Sequence, residues 1–428
     1  MSDGLAVRRV RLRAGGTAAV VHSLRPQGVG PALRGDVEAI LDAVRSRGDD
    51  SLVEESRRFG APSFSHDRLR AKKASLENAL NATAPELRRA IETAAAQIRT
   101  VSEAVRPQDR ELVLEYGQRI TIRALPVDAV GCYVPGGRAA YPSSLLMACV
   151  PAQVAGVGRI AVVSPPGADN AVVEVIRATA AILGIDEVYA VGGAAAIGAL
   201  AYGTATIAPV AVIAGPGSAW VQEAKRQVQG LVGIDSLAGP SEVLILADAD
   251  ASPELVAADL MAQAEHGPDS ISVLASTDPS LTDHVAALLR SRTTPGAITL
   301  VDVMSTPLLV ELAEAFAPEH LQINLRREDA DAAARQITRS GCVFVGRNGG
   351  TAFGDYLAGS NHILPTGGAA RFSSAVGPAT FMRRMGIVDL PQEAVDALAP
   401  HLDVLARAEG FPEHARSATI RISSENRS

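Results

Sequence analysis

Aromatic residues are scarce in this chain: they make up 4% of its 428 residues, with a single Trp. The core therefore has to be aliphatic and alanine-rich, and a hydrophobic content of 47% supplies it. Lysine is nearly missing. It occurs at Lys72, Lys73 and Lys225, and every other base is arginine, spread along the chain as a compositional bias would spread it. An excess of positive charge is also missing: the net charge of -7 gives no pull toward nucleic acid or anionic lipid. The cysteines Cys132, Cys149 and Cys342 are odd in number and lack metal-type spacing, so they read as free thiols in a reducing cytosol. Arg8, Arg9, Arg11 and Arg13 are followed by no apolar stretch, so the second part of a signal peptide is wanting. The most apolar run, 145–157, is interrupted by Pro151 and Gln153 and is too short to span a bilayer. The expectation is a cytoplasmic globular protein of two or three domains with no nucleic-acid or membrane partner.

From 37 to about 112 apolar residues recur every three or four positions, as at Ile40, Leu41 and Val44, or Ile91, Ile98 and Val101, which is a helical pattern. Past Gln118 the texture changes to short β-branched runs that end in glycine or proline. These start at Val130, Ile160, Val188 and Val210, with alanine-rich helical stretches at 171–183 and 194–201 between them. A second series follows at Val243, Ile271 and Cys342. Strand, turn, helix, strand is the pattern of a parallel sheet wrapped by helices, and two series imply two α/β units. The segment 354–368 is dense in Gly, Asn, Thr and Pro and reads as loop, and 394–409 reads as an amphipathic helix near the end.

Four groups of residues could carry chemistry. In Gln263-Ala-Glu-His266 the Gln and His are three apart, on one face of a helix, although a lone helical histidine is more often structural. Ala317-Pro-Glu-His320 sets a carboxylate beside an imidazole, the two groups a proton-transfer mechanism needs; its bland reading is a helix start after Pro318. Asp355 lies in a glycine-rich segment that would let it approach a metal, or merely form an Asx turn. Glu409 and His414 flank a glycine that could simply end a helix. Gln, His, Asp and His together form a mixed nitrogen and oxygen set that suits zinc better than calcium or magnesium.

In this order, and from Val37 almost to the terminus, these groups sit among long motifs that resemble the histidinol dehydrogenase family. The motifs include Tyr133-Val-Pro-Gly-Gly-Arg-Ala, Val150-Pro-Ala-Gln-Val-Ala-Gly156, Ala238-Gly-Pro-Ser-Glu242, Ala257-Ala-Asp-Leu, Gln263-Ala-Glu-His266, Phe316-Ala-Pro-Glu-His-Leu, Gly354-Asp-Tyr and Asn361-His-Ile-Leu-Pro-Thr. The resemblance implies oxidation of L-histidinol through L-histidinal to L-histidine, with two NAD reduced in succession. It implies one zinc per subunit on Gln263, His266, Asp355 and His414, and catalysis by Glu319 and His320. Ser241, Gln263, His266, His320, Asp355, Glu409 and His414 would meet the substrate, and Tyr133 and Ser218 the NAD. It also implies a homodimer in which the tail of one subunit brings Glu409 and His414 to its partner's site. The fold class expected is α/β, with two incomplete Rossmann-like domains and a small helical C-terminal tail. One domain would comprise 1–128 and 239–385 and carry zinc and catalytic residues, a dinucleotide-side domain 129–238, and the tail 386–428.

The chain departs from the family pattern on the dinucleotide side. Ala195 stands where the family has an NAD-contacting glutamine, Ala211 and Val212 replace Asp-Lys, and Ser218 replaces an asparagine. No turn matches the full Gly-x-Gly-x-x-Gly fingerprint. One lost polar contact costs about 0.5–1.5 kcal/mol, so two would weaken NAD roughly tenfold or more. The alternative expectation is a paralogue with the same zinc site but a changed cofactor mode or another alcohol. A non-catalytic metabolite-binding relative would be expected to lack Glu319 or His320, and both are present.

Overall fold

β-Branched runs become strands and the alanine-rich stretches between them become helices, because each fills a two-sided apolar sheet with small, close-packing partners. The computed structural model describes residues 6–25, 31–136, 140–290 and 292–423; Gly137, Arg138 and Ala139 of the Tyr133 motif lie outside the described residues. In chain order the strands are β1 (Val7–Leu12), β2 (Arg110–Val113), β3 (Arg119–Pro126), β4 (Ala129–Tyr133), β5 (Arg159–Ser164), β6 (Glu187–Ala190) and β7 (Val212–Ala214). They continue with β8 (Gly233–Ile234), β9 (Glu242–Ala247), β10 (Ile271–Ser276), β11 (Ala297–Val303), β12 (His320–Asn324), β13 (Cys342–Val345) and β14 (Met382–Asp389).

Two parallel sheets result. The larger has the order β1-β11-β10-β9-β12-β13, the smaller β6-β5-β4-β7-β8. In each, the strands run outward one way from a first strand and then the other way, which is the doubly wound Rossmann pattern with its order reversing beside that first strand. The fold is thus α/β with two incomplete Rossmann-like sheets and a helical C-terminal segment. Contact density divides the chain into two units: 1–105 with 128–381, which holds both parallel sheets, and 106–127 with 382–428. In the second unit β14 pairs antiparallel with β3, and β3 with β2, beside the helices Gln392–Ala408 and Pro412–Thr419. The helical pattern read to about 112 stops at Val105, and Arg110–Val113 is strand.

Period-2 alternation explains what the larger sheet buries. Leu244 and Leu246 of β9 pack with Val301, Leu309, Phe316, Leu321 and Ile323 on one face. Val243, Ile245 and Ala247 pack on the other with Val256, Leu260, Leu281 and Val285 of two helices. Leu321 and Ile323 of β12 belong to the first face, so His320, Gln322 and Asn324 turn to the second. A central parallel strand is normally apolar on both faces. This one is not, and its polar stripe begins at the site. Among the described residues no helix is long and apolar enough to cross a membrane.

Candidate active site

The Glu319–His320 pair opens a strand rather than a helix, so the helix start considered for it does not form. The preceding helix Thr306–Phe316 ends at Ala317, which takes φ +46 although it carries a side chain. That left-handed residue is uncommon outside glycine, and here it turns the chain so that Pro318 leads straight into β12. His320 pairs across the sheet with Val243 of β9 and Cys342 of β13.

Glu319 and His320 are both buried, and both are held by the start of β9. The Ser241 hydroxyl and the Glu242 backbone N–H donate to the same Glu319 oxygen, Oε2, at 2.8 and 2.7 Å. The His320 Nδ1 lies 3.2 Å from the Glu242 carbonyl, and a carbonyl only accepts, so Nδ1 carries a hydrogen. Nε2 is therefore the ring nitrogen left to accept a proton in the neutral form, and it stands 3.3 Å from Asp355 without good hydrogen-bond alignment. Burial alone would lower the imidazole pKa, but the charges of Glu319 and Asp355 outweigh it and hold the ring well above its ordinary value.

Asp355 comes from the short helix Thr351–Tyr356, which packs so closely on β13 that a Cβ at Gly354 would lie 2.4 Å from Phe344. Gln263 is buried near the end of the helix Pro253–Ala264; His266 lies two residues beyond that end, with its N–H on the Gln263 carbonyl, and is exposed. A helix that returns from β9 across a parallel sheet ends at the strands' amino edge, so this element delivers both residues to the level of Glu319. Burial pushes the Asp355 carboxyl up, and His320, His362 and His266 together hold it below its ordinary value.

The donor types test the expected zinc. Gln263, His266 and Asp355 offer an amide, an imidazole and a carboxylate, a set suited to zinc. The Gln263 amide nitrogen is buried with no hydrogen-bond partner, which costs about 1–3 kcal/mol. Among the described residues no group of three or more His, Cys, Asp or Glu side chains could hold a metal ion. The residues of the first unit thus fit part of a zinc site. His414 lies in the second unit, exposed, with its ring 5.3 Å from that of Phe411, and Glu409 is exposed at the end of the preceding helix.

In the smaller sheet the glycine turns follow the carboxyl ends of β4, β6 and β7, where doubly wound sheets bind ligands. Gly215 takes φ +125, and a Cβ there would stand 2.1 Å from the Tyr133 carbonyl oxygen. Lys225 and Asp235, both fully buried, clamp this turn: Lys225 donates to the Gly215 carbonyl and pairs with Asp235, which accepts from the Gly215 N–H at 2.8 Å. Tyr133 is buried, and its hydroxyl accepts from the Gly193 N–H at 3.2 Å. Ser218 is exposed at the start of the helix Ala219–Val228, and Ala195 is buried in the first turn of the helix Gly193–Tyr202. Ser144, from the helix that follows β4, approaches His362 at 3.2 Å; the other ring nitrogen of His362 meets the Asp355 carbonyl at 2.8 Å. The carboxyl edge of the smaller sheet therefore meets the amino edge of the larger.

The sequence gives no role to Arg25, Glu242, Asp259 or Lys225, although Glu242 and Asp259 lie inside the quoted motifs; His362 belongs to the same glycine-rich group as Asp355. A lone lysine on the apolar face of a helix, in a chain otherwise built on arginine, was the available signal for Lys225.

A family model described as histidinol dehydrogenase matches residues 25–422. The chain is 43% identical over 398 residues to histidinol dehydrogenase of Rhizobium meliloti (strain 1021), covering 90% of this chain and 91% of that one. It is 41% identical over 402 residues to histidinol dehydrogenase of Caulobacter vibrioides, covering 91% and 92%. The crystal structure of histidinol dehydrogenase from Elizabethkingia anophelis superposes with a TM-score of 0.91 at 30% identity, covering 99% of each chain.

Proposed function

The chain belongs to the histidinol dehydrogenase family and is an oxidoreductase of that type, and from that premise we propose that it oxidises L-histidinol through L-histidinal to L-histidine, reducing two NAD. The observation that carries this reading is the intact pair of Glu319 and His320, buried side by side and fixed by Ser241 and Glu242.

In this reading Gln263, His266, Asp355 and a His414 hold zinc, with the His414 and Glu409 coming from the partner subunit of a homodimer. When bound, zinc would anchor and orient the amino alcohol, and NAD would accept the hydride. The chain's own residues do the proton work. In its neutral form, which zinc on Asp355 would favour by withdrawing that carboxylate's charge from the ring, His320 takes the alcohol proton on Nε2 as hydride leaves the carbon, while its Nδ1–H stays on the Glu242 carbonyl. Glu319 takes a proton from water as the oxygen adds to the aldehyde carbon, giving the anion of the hydrate, which gives up the second hydride to NAD and leaves the carboxylic acid. Its Oε2 is already bound by Ser241 and Glu242, which aims the carboxylate. Ser241 therefore serves the site through Glu319 as well as through any substrate contact.

A second reading keeps this chemistry and changes the cofactor contacts. It is favoured by the engaged hydroxyl of Tyr133 and by the apolar Ala195, which leave the backbone of the glycine turns as the main polar surface there. One assay separates the two. Zinc-loaded protein with L-histidinol and NAD is expected to release two NADH per histidinol and to stop on chelation. Absence of turnover by folded, zinc-bound protein at high NAD overturns the first reading and favours the second.

A further inference from the structure

Glu242 holds the catalytic pair with its backbone, yet its side chain has no part in the reaction proposed above. That side chain is 1% exposed and ionisable, and a buried carboxylate needs partners. It has three donors. Arg25 gives Nε to Oε1 at 3.1 Å and a terminal nitrogen to Oε2 at 3.3 Å, and the Gly367 N–H reaches Oε1 at 3.2 Å. The same terminal nitrogen of Arg25 donates to the carbonyl of Phe316, and the guanidinium lies 4.3 Å from the centre of the Phe316 ring. Phe316 is the last residue of the helix that leads through Ala317 and Pro318 to Glu319. One guanidinium thus grips both chains that meet at the site: the start of β9 by its carboxylate, and the entry to β12 by a carbonyl. Gly368, at φ +80, closes over it, since a Cβ there would stand 2.6 Å from an Arg25 nitrogen.

We propose that Arg25 is a positioning residue of this active site, holding Glu319 and His320 in register through Glu242 and Phe316. The inference rests on the functional reading above. Charge, and not only packing, is at stake. Burial and, to a smaller degree, the Glu319 charge hold the Glu242 carboxyl up at about 7 even against the opposing Arg25 and Gly367 N–H. Without Arg25, Glu242 would be left unpaired beside Glu319, and the peptide that aims both catalytic groups would move with it. A lysine carries the charge but not the planar fork that reaches carboxylate and carbonyl together.

The test uses the full zinc-loaded protein with Arg25→Lys, Arg25→Met and the double variant Arg25→Met/Glu242→Gln. Arg25→Met is expected to lose roughly 10- to 100-fold in kcat, the scale of a misplacement near 1 Å, with KM for NAD unchanged within about twofold. Arg25→Lys and the double variant should regain part of the loss, because the first restores the charge and the second removes the unpaired one. A readout independent of turnover is the imidazole NMR signal of His320 in metal-free protein, assigned by its loss in His320→Asn. It should shift in Arg25→Met and move back in the double variant. Folded Arg25→Met with wild-type kcat and an unmoved His320 signal overturns the proposal, as does a loss that merely follows the folded fraction. If Arg25→Met does not fold, Arg25→Lys decides by the same two readouts. If wild-type protein fails to oxidise histidinol, the functional reading falls, while the His320 signal still decides the role of Arg25.

Discussion

Two carboxylates and one peptide carbonyl divide the His320 ring between them. The carbonyl of Glu242 fixes the hydrogen on Nδ1, and Glu319 and Asp355 raise the pKa well above 6.5 against a burial that alone would lower it. The sign of the linked stability follows. A histidine whose folded pKa is raised contributes stability that is full below its ordinary value of 6.5 and is lost as pH rises through the raised value. Metal-free protein should therefore show its largest melting-temperature advantage over His320→Asn near about pH 6, shrinking toward about pH 9. A gap that stays constant across that range would mean that the ring is not charged in the folded state. At this scale the sequence made the pair visible, since a carboxylate adjacent to an imidazole is a local pattern. It could not make Arg25 visible. The residue acts on Glu242 from 217 positions away, and a contact of that reach leaves no mark on spacing.

Elements, more than single residues, decide whether the site residues meet. The helix Pro253–Ala264 presents Gln263, and one turn earlier on the same face lies Asp259, whose carboxyl burial raises while the Gln322 amide opposes it. A Cβ on Gly350, just before the helix Thr351–Tyr356, would stand 3.3 Å from the same Asp259 carboxylate. Asp259 thus abuts the elements that carry His320 and Asp355. The second contact of that short helix is the approach of Gly354 to Phe344. Gly354→Ala should cost about 1–3 kcal/mol by overpacking and should lower zinc occupancy by displacing Asp355. Calorimetric unfolding with metal analysis of the same sample checks both; full occupancy with lowered stability would separate Asp355 from the site. Sequence reading treated 354–368 as loop because glycine and proline dominate it, whereas its first residues close a helical turn whose glycine is required by a neighbour. The sequence offered a helix start after Pro318 where the chain forms β12, and the alternation His-Leu-Gln-Ile-Asn takes its meaning only from the strand's place inside a parallel sheet. The antiparallel pairing of β14 with β3 escaped for a different reason: Ile120, Ile122 and Ala124 of β3 alternate with Arg119, Thr121 and Arg123, but β14 is largely exposed and distant in sequence, so nothing local marks it as the partner.

The whole molecule poses a question of completeness. Three donors of the proposed zinc set stand in the first unit, while His414 and Glu409 are exposed in the second, and no group of three or more His, Cys, Asp or Glu side chains among the described residues could hold a metal ion. If the second unit serves a twofold-related partner, each site is built from the body of one subunit and the tail of the other. His414→Ala should then lower zinc occupancy, and Glu319→Gln should abolish turnover while leaving metal in place. Each homodimer is inactive. In a mixed dimer, however, the body of the His414→Ala subunit meets the intact tail of the Glu319→Gln subunit, and one site of two is whole. Random exchange makes half the dimers mixed, so equal amounts of the two variants should recover about a quarter of wild-type activity. A tail that serves its own subunit leaves every site in the mixture with one defect, and no activity returns. The quarter and the zero are far enough apart for an ordinary NADH assay, after subunit exchange is verified by mass, to show which body the tail belongs to.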